Sequence, residues 1–353
     1  MRCAIIPPHV LDHIAEHHDE ERLRELAQRT LVIDHGQRRT RAAAQLISAA
    51  EPTTGPATAK RTIHDAKHQQ TLPGKTVRSE GGPATGDKSA DEIYDWLGVT
   101  FDFYRSAYGR DSIDGAGLPL VATVHYAVNY DNAFWDGSQM VYGDGDQQIF
   151  TTFTGPLDVT GHELTHGVTQ YSGGLDYSGQ SGALNESISD VFGSLVKQYH
   201  LGQTADQADW LIGQGMFAAG VHGVALRSMK APGTAYDDPN LGKDPQPADM
   251  AHFVKTSSDN GGVHINSGIP NRAFCLAATA IGGHAWEKAG RVWYETITSR
   301  RVPTNADFAT FAGMTVETAG TLFGVKSPES DAVRAAWTTV GVAIAPAAGA
   351  EIA

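Results

Sequence analysis

Cysteine is almost missing from this chain: its 353 residues hold two, Cys3 and Cys275. That excludes a disulfide framework. Cys275 falls in an apolar stretch and reads as a small core residue. Long apolar runs are missing too. None reaches the ~18 residues of a membrane span, so no membrane partner is expected, and Ala273 to Gly282 reads as a buried helix. No basic cluster occurs, which leaves nucleic acid without a footprint, and the net charge of −13 reads as solubility. An ordinary export signal is also lacking, because the apolar start carries one Arg and is broken by Pro7-Pro8. There is no internal repeat and no low-complexity segment.

What is present is a globular composition, 41% hydrophobic with 39 glycines, on a chain long enough for two or three domains. Its most informative stretch is His162-Glu163-Leu164-Thr165-His166. On a helix, two imidazoles four residues apart share a face, with Cβ atoms about 5–6 Å apart. Their ring nitrogens can converge on one Zn²⁺. Glu163 is about 100° round the helix from His162, where a general base can face water rather than the metal. Alone, the five residues fit equally an amphipathic helix with two satisfied histidines.

Asn185-Glu186-Ser187-Ile188-Ser189-Asp190 lies about one helix length further on. Leu184, Ile188, Val191 and Leu195 recur at helical spacing, which predicts a second helix over about 182–200 that stops near Gly202. A catalytic zinc takes three protein ligands and keeps one position open. Glu186 can supply the third. Asp190, four residues on, can accept the free ring N–H of a ligating histidine. Gly173-Gly174 ends the first helix and lets the pair pack antiparallel.

With these blocks the chain resembles the thermolysin-like zinc metallopeptidases. Two further stretches fit the same pattern: residues 132–146, Asn-Ala-Phe-Trp-Asp-Gly-Ser-Gln-Met-Val-Tyr-Gly-Asp-Gly-Asp, and residues 259–268, Asp-Asn-Gly-Gly-Val-His-Ile-Asn-Ser-Gly. The resemblance spans residues from about 60 to about 343. It implies an α+β fold, with a β-rich N-terminal domain, a mainly helical C-terminal domain, and one Zn²⁺ in the cleft between them. It also implies an endopeptidase acting on proteins and peptides, with Zn²⁺ on His162, His166 and Glu186 and with Glu163 as base.

The remaining roles follow from the same resemblance. A tetrahedral oxyanion needs preorganised donors. His264, oriented by Asp259, and Tyr177 look like those donors, although His264 alone would read equally as a loop histidine. Asn132 and the Ala133 carbonyl look like the groups that grip a peptide backbone, and Arg227 like the one that binds a substrate carbonyl. Phe150, Val159 and Leu226 would line a pocket for a bulky apolar residue after the scissile bond; as plain sequence they are equally core. Calcium is doubtful. Asp158 and Asp209 match acidic ligands of the family, but Lys197, Leu211 and Gln214 stand where others belong, and residues 216–226 hold no acid.

Three segments are expected: a small helical unit over 1–52, a β-rich subdomain over 53–157 and a helical one over 158–345. Strand signals include Val121 to Val128, and a basic turn is expected at Gln37 to Arg41. In the first unit, Pro7-Pro8-His9-Val10-Leu11 resembles the short pro-segments of the protealysin-like branch. It is read as an intramolecular inhibitor, removed by a cut, in all expectation the enzyme's own, between about Gln45 and Lys60. Cys3, alone near a terminus, reads as incidental, with a thiolate that reaches the zinc as the alternative. Secretion is a family inference, with the cytoplasm as alternative. A zinc aminopeptidase and a structural-zinc protein remain as rivals; the first lacks its Gly-x-Met-Glu-Asn strand here, and the second lacks a cysteine near the motif.

Overall fold

The computed structural model describes residues 4–41 and 58–345, with side chains described to residue 36 in the first stretch. Cys3, most of the linker composition around Glu51-Pro52 and the boundary between the first two expected segments lie outside the described residues.

The first segment holds two helices, α1 (Pro8–His17) and α2 (Glu21–Arg41). Pro7 is extended and Pro8 occupies the first turn, where a missing N–H costs nothing. Val10, Leu11 and Ile14 face inward on α1. The expected basic turn at Gln37 to Arg41 is instead the last part of α2.

A mixed sheet follows: β1 (Arg61–Asp65), β2 (Lys75–Ser79), β3 (Leu120–Val124), β4 (Ala133–Trp135) and β5 (Met140–Tyr142), in spatial order β2-β1-β3-β5-β4. The outer pairs are antiparallel, and β1–β3 and β3–β5 are parallel. The strand expected to reach Val128 stops at Val124. His125 and Ala127 have φ of 54°, which extended backbone cannot hold, and Val128 is exposed. The strand-rich region also contains a long helix that the sequence reading did not anticipate, α3 (Lys88–Tyr108). Asp87 caps it, accepting from the Ala90 N–H.

The C-terminal half is helical: α4 (Leu157–Tyr171), α5 (Gly179–Leu201), α6 (Asp259–Asn266), α7 (Gly268–Ile281), α8 (Ala289–Thr298), α9 (Phe308–Phe323) and α10 (Pro328–Thr339). Ser327 caps α10 with Pro328 at its first position, as its sequence predicts. Short strand pairs separate α5 from α6. The second motif helix begins at Gly179, three residues before the expected start, and closes on Gly202 at φ 63°.

The helices α4 and α5 run antiparallel, since Asp158 meets Lys197 while His166 meets Asn185. They approach closely because Gly161 faces Gly193: a Cβ on Gly193 would lie 2.5 Å from the Asp158 carbonyl oxygen. Both are buried on almost every face, packed among α3, α7 and the sheet. No helix among the described residues is long and apolar enough to cross a membrane.

Candidate metal centre and cleft

His162 and His166 project from one face of α4, and both are buried. The His162 Nδ1–H donates to Asp190 Oδ1 at 2.8 Å, and the His166 Nδ1–H to Asn185 Oδ1 at 2.7 Å. Those donations turn each Nε2 toward the other, and the two Nε2 atoms face each other at 3.1 Å. Glu186 brings Oε2 to 3.6 Å from His162 Nε2 and Oε1 to 3.7 Å from His166 Nε2. The two Nε2 atoms and the Glu186 carboxylate thus turn toward one buried point. Two imidazoles and one carboxylate are the donor set that zinc takes in catalytic sites, so the residues fit that metal.

Burial opposes ionisation of Glu186. The charges of His264, His166, His162 and Arg227 outweigh it and hold the carboxyl down to about 2. Burial likewise opposes the charge on Asp190, and Arg227 and His162 overcome it. Arg227 reaches Asp190 through Nε and Nη2, both at 2.8 Å, and Asn271 Nδ2 donates to it at 2.8 Å. Asp190 therefore takes four directed donors.

Glu163 points from the next α4 position toward the sheet, where Oε2 accepts the Trp135 N–H at 2.9 Å. His264 approaches from the other side. Its Nε2 is 3.5 Å from Glu186 Oε2 and 3.3 Å from Tyr177 Oη, and Tyr177 Oη also donates to Glu186 Oε1. Asp259 fixes His264 twice, at Nδ1 (2.7 Å) and at the backbone N–H (2.9 Å). This double grip holds Asp259, Asn260, Gly261 and Gly262 all at φ between 50° and 89°. His264 itself lies in the regular turn that follows, rather than in the glycine loop. Burial would lower its pKa; Asp259 and Glu186 outweigh that and raise it.

Asn132, Ala133 and Arg227 sit together, and the start of the first segment lies on them. The Ile5 N–H donates to the Ala133 carbonyl (3.0 Å) and the Ile6 N–H to Asn132 Oδ1 (2.9 Å). Arg227 Nη1 donates to the Ile5 carbonyl (3.1 Å) and Asn132 Nδ2 to that of Ile6 (3.4 Å). The segment thus adds to the free edge of β4. Phe150, Val159 and Leu226 are fully buried, in the same apolar cluster as Ile5 and Ile6. His9 follows into the interior. Its Nε2 is 3.1 Å from Tyr236 Oη, its Nδ1 finds no partner, and burial pushes its pKa down to about 4.

Residues 41–170 match the thermolysin metallopeptidase catalytic domain and residues 173–342 the alpha-helical domain of the same enzymes. The chain belongs to the thermolysin family of metallopeptidases. It is 54% identical over 348 residues to an extracellular metalloprotease of Pectobacterium carotovorum subsp. carotovorum, covering 97% of each chain. It is 39% identical over 292 residues to a thermolysin of Alicyclobacillus acidocaldarius subsp. acidocaldarius, covering 79% of this chain and 50% of that one. The structure of a precursor of protealysin, a metalloproteinase from Serratia proteamaculans, superposes with a TM-score of 0.88 at 54% identity, covering 97% of this chain and 100% of that one.

Within this thermolysin-family frame, Lys197 occupies a distinctive place. Its Nζ lies 3.2 Å from Asp158 Oδ2, 2.9 Å from Asp209 Oδ2 and 3.3 Å from the Leu211 carbonyl oxygen. Burial opposes its charge, but Asp158 and Asp209 outweigh that and raise its pKa. Several residues that serve the site escaped the sequence reading: Asn271, Ser189, His9 and Trp135, which holds Glu163 through its backbone. Asn185, Trp135, His9 and Ser189, whose Oγ lies 3.0 Å from His166 Nδ1, stood inside recognised motifs without a role, while Asn271 carried no signal of spacing.

Proposed function

We propose that this chain is the zymogen of a zinc endopeptidase whose first segment fills its own substrate cleft. The observation that carries the reading is the convergence of His162, His166 and Glu186 on one buried point, the donor set of a catalytic zinc. Zn²⁺ held by His162, His166 and Glu186 would supply Lewis acidity to a scissile carbonyl and to a water molecule. Asn132, the Ala133 carbonyl and Arg227 hold the peptide as they hold Ile5 and Ile6 here. Glu163 takes a proton from water at its carboxylate and returns it to the leaving amine. His264, kept cationic by Asp259, and Tyr177 donate to the oxygen that becomes negative. Asp190 positions His162 and Arg227 together. Phe150, Val159 and Leu226, buried in the same core as Ile5 and Ile6, favour a bulky apolar residue after the cut.

The first segment blocks the cleft by making the hydrogen bonds a substrate would make. Its loss by a cut beyond α2, made by the enzyme itself, opens the site. The Lys197 ammonium stands between carboxylates that would otherwise attract a divalent ion, so stability does not depend on calcium. Extracellular relatives support secretion. Neither an aminopeptidase nor a structural-zinc reading gains support from the family matches.

Purified precursor should be poorly active on casein, shorten from its N-terminus and gain activity as it does so. A metal chelator should abolish the activity and zinc restore it. Full activity in uncut precursor would remove the inhibitory role; activity without bound metal would remove the mechanism.

A further inference from the structure

Asn132 does more in the precursor than hold Ile6. Its Nδ2 donates to Asp34 Oδ2 at 2.9 Å, and Tyr130 Oη donates to Asp34 Oδ1 at 2.5 Å. Asp34 projects from α2, far along the first segment from Ile6, yet both touch the same amide. All three groups are buried: Asp34 is 4% exposed, Tyr130 1% and Asn132 0%. A carboxylate enters such a place only where donors meet it. Those donors belong to the catalytic body and remain when the first segment leaves.

The surroundings suit an anion. Burial and the Asp34 charge push the Tyr130 hydroxyl well above its ordinary value, so it keeps its proton and donates. Asp131, the neighbouring acid, is itself buried beside Asp146, and burial and that charge push its pKa well above the ordinary value. Its backbone N–H faces Thr30 Oγ1 of the same helix at 3.4 Å.

We propose that Tyr130 Oη and Asn132 Nδ2 form a carboxylate-binding subsite of the cleft, filled by Asp34 in the precursor and open to a substrate carboxylate in the processed enzyme. Because Asn132 Nδ2 also reaches the Ile6 carbonyl, the carboxylate lies beside the residue aligned with Ile6. It comes either from a chain that ends there or from an Asp or Glu side chain one residue further. This rests on the peptidase reading for its second half only.

The first test uses the full-length precursor and needs no catalysis. Asp34→Ala should raise hydrogen exchange at the Ile5 and Ile6 amides by tenfold or more, as expected for losing charge-assisted bonds worth about 1.5–3 kcal/mol. Formate should restore protection in Asp34→Ala, chloride should not, and adding Tyr130→Phe should abolish the rescue. Unchanged protection in Asp34→Ala, or equal rescue by chloride, overturns the proposal.

The second test uses processed enzyme and matched peptides that differ only in acid against amide, at the chain end or in Glu against Gln one residue on. Acid should be preferred about tenfold in kcat/KM from one source, and Tyr130→Phe should bring that ratio to near one. A ratio near one from both sources in the unmodified enzyme overturns the substrate role. Failure to cleave any peptide strikes the peptidase reading instead, while the exchange result stands by itself.

Discussion

The same two helices carry two charge centres, and they solve opposite problems. At the middle of α4 and α5, His162, His166 and Glu186 turn their ring nitrogens and carboxylate toward one point. Toward one end of the pair, Asp158 and Asp209 turn carboxylates toward another point, and Lys197 fills it. The first arrangement suits an ion from solution. The second is complete within the chain. The difference lies in one side chain on α5, and it separates a centre built to react from a centre built only to hold.

The sharpest break of this comparison is at the reactive centre. Glu163→Ala should retain zinc, measured by metal analysis, yet lose about 10³–10⁴-fold in kcat, the scale of a general base. A metal-loaded variant with normal turnover would refute the role. At the holding centre, Lys197→Met leaves two carboxylates facing each other and should cost about 3–5 kcal/mol in denaturant unfolding, the range for breaking a buried pair. Added calcium should recover part of it. If the variant is as stable as the parent, the lysine is not what holds these carboxylates.

Smaller effects sharpen the contrast. His264→Ala should lower kcat by about 10²–10³ with little change in KM, because the oxyanion exists only in the transition state. A change in KM alone would make His264 a ground-state contact. Acid should loosen the first segment through His9. It faces Asp259, His264, Arg227 and Tyr236, and its pKa is about 4 when docked against 6.5 when free. The undocked state therefore binds more protons between those values, and docking weakens as pH falls, by roughly tenfold per unit below 6.5 until about 4. Protection at Ile6, taken as exchange relative to the intrinsic amide rate at each pH, should fall with acid over that window in the parent and stay flatter in His9→Asn. The smallest effect belongs to calcium itself: the parent's thermal midpoint should move by no more than a few degrees when calcium is chelated.

The reactive centre was legible because its residues are close in sequence. His162, His166, Glu186 and Asp190 lie on two adjacent helices, so helical spacing alone assembles them. Lys197 was legible for the same reason. The gap was α3. Val99 and Thr100 are β-branched, and Phe101, Phe103 and Tyr104 crowd one stretch, so burial on several sides blurs its helical period into a strand-like pattern. Partners joined only by tertiary folding were beyond reach. Asn271 meets Asp190 across 81 residues and Tyr130 meets Asp34 across 96. The strand expected over Val121 to Val128 forms but ends at Val124, since β-branching favours strands whereas the turn at His125 follows from contacts with Asp87 and Asp144.

The edge of β4 has one more consequence. Ile5 and Ile6 reach Ala133 and Asn132 through their own backbone amides. A helix or a paired strand has no amides to offer such an edge. A folded target must therefore open locally before it can be read, so cleavage of native proteins should follow their own opening equilibria rather than the number of apolar residues they contain. Such an enzyme would report, bond by bond, the local stability of whatever it meets.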